Sequence, residues 1–300
     1  MNERTRGMLL LVLVALCSSL ASSAGTEQLR RAVDQIVNNA HGTIGVAVLH
    51  LENGDTVTVN GHAKLPMQSV YKYPLGLAVL RQVDLGTLSL DQRITLKKSD
   101  LLPKTWSPLR EKYPNADTAV LLDEILRFTV AQSDNNGCDI LFRMLGGPKK
   151  VDSFIRSLGI NDIAIVNTEE EMGMDRTAQF RNYVTPFELA RLLSLMARGK
   201  VLSEKNTRYI MKVLDETTTG PKRLKGQLPP GTVVAHKTGS SGTDERGITP
   251  ATNDAGIITL PDGSHVAVVV FVSNSPADEK EREGVISSIA KTVWDHYTGR

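Results

Sequence analysis

Apolar and polar positions change period several times along this chain, and the changes mark its elements. Thr26 to Asn39 reads as an opening helix. Thr43 to Leu51 (TIGVAVLHL) alternates and is rich in β-branched residues, Asn53-Gly54-Asp55 signals a turn, and Thr56 to Val59 follows as a second strand. From Ser69 to Leu214 the spacing turns helical. Leu121, Leu122, Ile125, Leu126 and Phe128 share one face, as do Leu189, Leu192, Leu193 and Met196. Strand signals return at Thr232 to His236, Gly256 to Leu260 and Ser264 to Val272, the last two joined by the turn residues Pro261-Asp262-Gly263. The chain closes on Ile286, Ile289, Ala290, Val293, Trp294 and Tyr297, a single helical stripe.

The strands lie at the two ends and the helices between them. The simplest packing joins the ends in one antiparallel sheet of five strands, covered by the terminal helices. The fold class expected is therefore α+β: a five-stranded antiparallel α/β domain from residues 25–64 and 215–300, with residues 65–214 inserted as an all-helical domain. A cleft between two such lobes is a preferred place for a small-molecule site. The chain shows no internal repeat, low-complexity tract or long linker.

Composition narrows the class. Hydrophobic residues make up 41% and charged residues 23% of 300 positions, which excludes wholesale disorder. The net charge of +2 argues against a nucleic-acid binder. Two cysteines exclude a disulfide framework and a Cys-rich zinc site. The first 24 residues read as a secretory leader. Arg4 and Arg6 are basic, Met8 to Cys17 is an apolar run too short to span a bilayer comfortably, and small residues lead to Ala24, where cleavage is expected. Leu16 stands where lipidation at Cys17 would need a small residue, so no membrane anchor is expected. Loss of Arg4, Arg6 and Glu3 lowers the net charge to +1, and Cys138 becomes the lone thiol, expected to be buried and inert. The product is expected to be periplasmic or secreted, and monomeric.

Three short motifs carry chemistry. Ser69-Val70-Tyr71-Lys72 is an S-x-x-K, and on a helix positions i and i+3 meet, so the hydroxyl and amine can touch. A serine needs a base to take its proton, which a lysine can supply when burial or neighbouring charge makes it neutral. A helix N-terminus at Ser69 would aim backbone N–H groups at a developing oxyanion. Ser133-Asp134-Asn135 offers a hydroxyl for proton relay and an amide that both donates and accepts; short polar runs of this kind otherwise mark turns and caps. Lys237-Thr238-Gly239, with Ser240 after it, follows directly from a strand, which can hold the lysine and threonine toward an anion, while Gly239 allows close backbone approach.

The three motifs in this order resemble the class A serine β-lactamases, for which, together with the penicillin-binding proteins, they are an established marker set. The resemblance runs from about residue 26 to 297 and implies the β-lactamase/transpeptidase-like fold, with the active site between the sheet and the helices. It implies Ser69 as acylated nucleophile, Lys72 as its proton partner and Ser133 as proton donor to the departing lactam nitrogen. Asn135 would hold the substrate's amide. Lys237, Thr238, Gly239 and Ser240 would bind its carboxylate. The backbone N–H groups of Ser69 and Ser240 would form the oxyanion hole. The substrate implied is a small-molecule β-lactam, with no cofactor. The six histidines show no metal-ligand spacing, and His236 reads as a structural strand residue.

Hydrolysis needs a carboxylate to activate water. The family pattern is Glu-x-x-Leu-Asn, and here the region reads Asn167-Thr168-Glu169-Glu170-Glu171-Met172-Gly173. Glu169 is preferred of the three glutamates because Met172 then fills the apolar position. Gly173 replaces the water-holding Asn, and Asp139 stands where many relatives carry a second Asn. These departures, with Thr217-Thr218, Gly220-Pro221 and Arg223-Leu224-Lys225-Gly226, resemble the PER, VEB and CfxA extended-spectrum branch, which includes cephalosporinases. A side chain from Asp175 to Asn182 is expected to replace the missing anchor. Arg223 resembles that branch's extra cation near the substrate carboxylate, with a surface salt bridge as the alternative. Trp106 is expected as an aromatic lip of the cleft, or as packing under a loop. A D-Ala-D-Ala peptidase and a β-lactam sensor share the three motifs but would lack the deacylating carboxylate. A general serine esterase would carry G-x-S-x-G, which is absent.

Overall fold

A computed structural model describes residues 24–299 of the protein. The expected leader, apart from its last residue, lies outside the described residues. Helix α1 (residues 24–39) leads into β1 (Thr43–His50) and β2 (Thr56–Val59). The turn between these strands is closed by the Asn53 side chain, which accepts the Asp55 N–H at 2.8 Å. The two-residue strand β3 (Leu65–Pro66) then carries the chain into the helical section. There follow α2 (Lys72–Asp84), β4 (Arg93–Thr95), α3 (Pro108–Lys112), β5 (Ala119–Leu121), α4 (Leu122–Ala131), α5 (Asn135–Leu145) and α6 (Pro148–Ser157). After these come β6 (Ile163–Ala164), α7 (Glu169–Met174), β7 (Tyr183–Val184), α8 (Pro186–Ala197) and α9 (Glu204–Asp215). The chain returns as β8 (Val234–Ser240), β9 (Thr249–Thr259) and β10 (His265–Ser275) and ends on α10 (Glu279–Thr298).

One antiparallel sheet holds five strands in the order β2-β1-β10-β9-β8, so the two ends of the chain pair directly as β1 and β10. This is the α+β architecture expected from the pattern. Side chains alternate across the sheet and feed two cores. Val46, Val48, Val268 and Val270 face outward onto Leu29 and Val33 of α1 and Ile286, Ile289 and Val293 of α10. Ala47, Ala235, Ile257, Val269 and Phe271 face inward and share a core with the helices. At the centre of that core runs α2, buried at every residue from Lys72 to Leu80. A helix enclosed on all sides is usually apolar all round. Here it begins with a buried lysine, which calls for polar partners.

Three strands run further than their apolar patterns, β10 by the three residues from Ser273 to Ser275. β8 continues through Lys237 to Ser240, and β9 begins at Thr249 rather than Gly256. The extra length is ladder pairing, Thr238 to Asp254 and Ser240 to Thr252, among polar residues of which Thr238, Thr252 and Asp254 are buried. No helix among the described residues is long and apolar enough to cross a membrane.

Candidate active site

Ser69 lies in a 3-10 turn, Gln68–Tyr71, that runs straight into α2, so the α-helix begins at Lys72, one turn after the N-terminus expected at Ser69. Gln68 has φ +48°, a left-handed conformation uncommon for a residue with a side chain. The segment before it is clamped from both sides. Met67 N–H donates to the Asn182 carbonyl at 2.9 Å, and the Asn253 amide donates to the Pro66 carbonyl at 2.8 Å. A Cβ at position 239 would lie 2.4 Å from the Met67 carbonyl oxygen, so only glycine lets β8 come this close to the nucleophile's turn.

Lys72 Nζ is 2.9 Å from Ser69 Oγ, as the S-x-x-K spacing predicts. It also donates to the Ser133 carbonyl at 2.8 Å and to Asn135 Oδ1, and pairs with Glu169 Oε1 at 2.9 Å. Four acceptors crowd one amine, an arrangement suited to an ammonium with three protons rather than a neutral amine with two. Glu169 Oε1 stands 3.5 Å from Ser69 Oγ.

The Ser133-Asp134-Asn135 loop divides its labour. Asp134 caps α5, accepting the Gly137 N–H at 2.7 Å, and also accepts the Leu109 N–H at 2.6 Å and the Ser107 hydroxyl at 2.9 Å. Burial raises its carboxyl above the usual range against these donors. The cap reading therefore holds for Asp134, while its neighbours face the cleft. Asn135 Nδ2 donates to Thr105 Oγ1 at 2.7 Å, and its N–H donates to the Trp106 carbonyl at 3.0 Å. Trp106 stands more than half exposed at the cleft mouth, with its indole N–H on the Gln132 carbonyl at 2.9 Å.

Lys237 projects from β8 to donate to Ser133 Oγ and to the Thr238 carbonyl, each at 2.9 Å. Burial, reinforced by the charge of Lys72, lowers its proton affinity well below that of an ordinary lysine. Thr238 Oγ1 meets Thr219 Oγ1 at 2.5 Å. Arg223 is buried and pairs with Glu283 of α10 at 3.1 Å, so the alternative of a surface salt bridge falls. Its guanidinium also donates to Ser240 Oγ at 2.8 Å and to the Asn253 carbonyl at 3.0 Å.

The three glutamates separate clearly. Glu169 reaches Lys72, whereas Glu171 turns back to cap α7, accepting the Thr168 N–H and the Asn167 side chain, each at 3.0 Å. The loop is held by groups whose roles spacing did not reveal. Asp139 accepts the N–H of Glu169 and of Glu170, each at 2.9 Å, one on each carboxylate oxygen. Buried Asn182 accepts the N–H of Val166 at 2.8 Å and of Asn167 at 2.9 Å, and donates to the Asn167 carbonyl at 2.8 Å. The Gln68 amide donates to Gln179 Oε1, linking the far end of the loop to the residue beside Ser69. Gly173 meets nothing where a side chain would begin.

A cavity of about 250 Å³ gathers Ser69, Ser133, Asn135, Glu169, Thr238, Gly239, Ser240, Arg223 and Trp106 on its walls, with Thr219 and Gly220 added. Lys72 and Lys237 lie beneath its floor. A second cavity of about 280 Å³ adjoins it at Asn135 and Glu169 and runs under Gly173 and Met174. Among the described residues no group of three or more His, Cys, Asp or Glu side chains could hold a metal ion. Cys138 is buried beside the Tyr71 hydroxyl, and burial pushes its thiol up.

Residues 28–297 match the model of the β-lactamase enzyme family. The chain belongs to the β-lactamase enzyme family. Within it the enzyme is of class A and like PER and VEB. It is 42% identical to β-lactamase VEB-1 of Pseudomonas aeruginosa over 97% of this chain and 98% of that one. It is 40% identical to the extended-spectrum β-lactamase PER-1 of the same organism, over 92% and 90%. A crystal structure of a β-lactamase from Chitinophaga pinensis superposes with a TM-score of 0.88 at 52% identity, covering 90% of this chain and 99% of that one.

Proposed function

We propose that this β-lactamase opens penicillins and cephalosporins through a serine acyl-enzyme, which a Glu169-activated water then hydrolyses. Ser69 Oγ attacks the lactam carbonyl carbon. Its proton has two acceptors within reach: Lys72, once that ammonium has passed a proton to Glu169, and Glu169 by way of a water. The oxyanion is met by the backbone N–H groups of Ser69 and Ser240, a pairing supported by the close approach of Gly239 to the Met67 carbonyl beside the nucleophile's turn. As the ring opens, Ser133 protonates the departing nitrogen and is resupplied by Lys237, whose lowered proton affinity favours donation. Thr238, Ser240 and Arg223 bind the substrate carboxylate, Asn135 its amide, and Trp106 lines the entrance. Before the second half, the proton taken from Ser69 is passed on to the Ser133–Lys237 pair, which restores Glu169 as a carboxylate and Lys237 as an ammonium. Glu169 then takes a proton from water, hydroxide attacks the ester carbonyl, and that proton passes to Ser69 Oγ as it leaves.

The observation that carries this reading is the carboxylate of Glu169, 2.9 Å from Lys72 and 3.5 Å from Ser69. A D-Ala-D-Ala peptidase or a sensor would need no such base. The likeness to PER-1 supports a broad cephalosporin range. The three-part pattern of residues 1–24 supports export to the periplasm or medium, and the enzyme acts as a monomer.

Incubating the mature protein with a chromogenic cephalosporin while following colour and intact mass tests the reaction. Many turnovers with a transient adduct are expected, and no adduct with Ser69→Ala. One turnover followed by a persistent adduct overturns the reading.

A further inference from the structure

Behind the cleft floor, His236 Nδ1 sits 2.9 Å from both carboxylate oxygens of Asp254, and neither side chain is exposed. His236 Nε2 is buried without a partner, so the ring's polar contact is the one from Nδ1 to Asp254. Its ladder partner on β9 is bare: a Cβ at Gly256 would lie 2.6 Å from His236 Cβ. Burying a carboxylate is expensive unless its lone pairs are used. Asp254 uses one on His236 and another on the Leu224 N–H at 3.1 Å. A single carboxylate thus ties β8 to the segment that carries Arg223.

Arg223 depends on that tie. Its Nε is on Glu283, its Nη1 serves the carbonyls of Gly239 and Asn253, and its Nη2 donates to Ser240 Oγ. A guanidinium has five N–H groups, so one on Nη2 remains for a ligand. Its direction follows from where the 220–226 segment lies, and the neighbouring peptide, Leu224, is the one Asp254 holds.

We propose that His236 and Asp254 are positioning residues for carboxylate recognition: Asp254 holds the Leu224 peptide, His236 orients Asp254, and together they aim the remaining Arg223 N–H at the acid group of the substrate. This rests on the reading that Arg223 meets that carboxylate.

The test compares a cephalosporin with its methyl ester. Asp254→Asn offers one acceptor oxygen to two donors. KM for the acid is expected to rise about tenfold with kcat little changed, while KM for the ester stays put, so the preference for the acid shrinks. His236→Ala should lose the same preference, and His236→Asn, whose amide keeps a donor for Asp254, should regain it. Equal losses on acid and ester, with the preference intact in Asp254→Asn and His236→Ala, overturn the proposal as a merely structural effect. Arg223→Lys separates the premises. If it shrinks the preference while the Asp254 and His236 variants do not, the positioning role fails and the carboxylate reading stands. If it too leaves the preference intact, both fail.

Discussion

On the sheet side of the cleft, Arg223 is 5% exposed and Thr238 4%, and both belong to a framework of ladder pairs and buried ion pairs. On the opposite side, Met174 is 79% exposed and Phe180 47%, and the catalytic candidate Glu169 rides on a six-residue helix. A helix that short has little stability of its own. Its place is set by the Thr168–Glu171 capping box, by Asp139 beneath its first turn and by Asn182 across the loop. The sheet side would fix how a substrate lies. The loop side would fix the base for the second half-reaction. Damage to the loop should therefore slow deacylation selectively, and damage to the sheet side should weaken binding.

The largest effect is expected at the loop. Glu169→Gln should slow release of the acyl-enzyme by about 10²–10⁴-fold. Intact mass should show the adduct accumulating, while Glu170→Gln and Glu171→Gln keep turning over. An adduct that accumulates in either neighbour instead would move the base along the loop. Next comes Asn182→Ala, which removes the buried amide that holds the N–H groups of Val166 and Asn167 and the Asn167 carbonyl. It should cost about 3 kcal/mol in denaturant unfolding and prolong the adduct without slowing its formation. Equal slowing of both steps would dissolve the division between the two sides.

A smaller effect concerns Asp139. Burial pushes its carboxyl up from 3.8 to about 6, with the charge of Glu169 adding to the rise and the two loop N–H groups opposing it. The folded state thus holds this proton more tightly than the unfolded chain. Ionisation of Asp139 lowers stability as pH rises from about 4 to about 6, by up to about 3 kcal/mol. The same ionisation frees both oxygens to hold the first turn of α7. Below pH 6 deacylation should fall even as this group's contribution to stability grows. Asp139→Asn, with one acceptor oxygen, should turn over several-fold more slowly at pH 7.5 and lose that segment of the stability profile. Paired unfolding and burst measurements across pH 4 to 8 check both, and a variant profile parallel to wild type would remove Asp139 from the device.

These clamps also mark where sequence reading stops. The contact of Ser69 with Lys72 follows from i, i+3 spacing, and the stripes of α4, α8 and α10 are buried as their periods predict. The first half of β9, Thr249 to Asp254, is invisible to apolar alternation because, Pro250 and Ala251 apart, its buried side chains are polar. Asn253 serves Pro66, and Asp254 serves His236 and Leu224. A buried polar group announces itself through a distant partner, and distant partners have no period. Asp139 was noticed as a departure from a pattern, yet its partners lie about thirty residues on, in a helix too short to show a stripe. Arg223 could be read as a cation; its burial against Glu283 of α10 could not.

The mildest effect should come from the sheet side. Thr219 faces Thr238 hydroxyl to hydroxyl at 2.5 Å, and only one can donate to the other, so the contact orients whichever proton is left for a substrate carboxylate. Thr219→Val keeps the shape and removes one hydroxyl, a loss of about 1 kcal/mol or roughly fivefold in KM. Because the loop clamps are untouched, the deacylation rate should stay at its wild-type value and no adduct should build up. Single-turnover kinetics with a cephalosporin separate the two steps. A Thr219→Val enzyme that lingers as acyl-enzyme would show that the sheet side also positions the base, and the two sides of the cleft would then act as one unit.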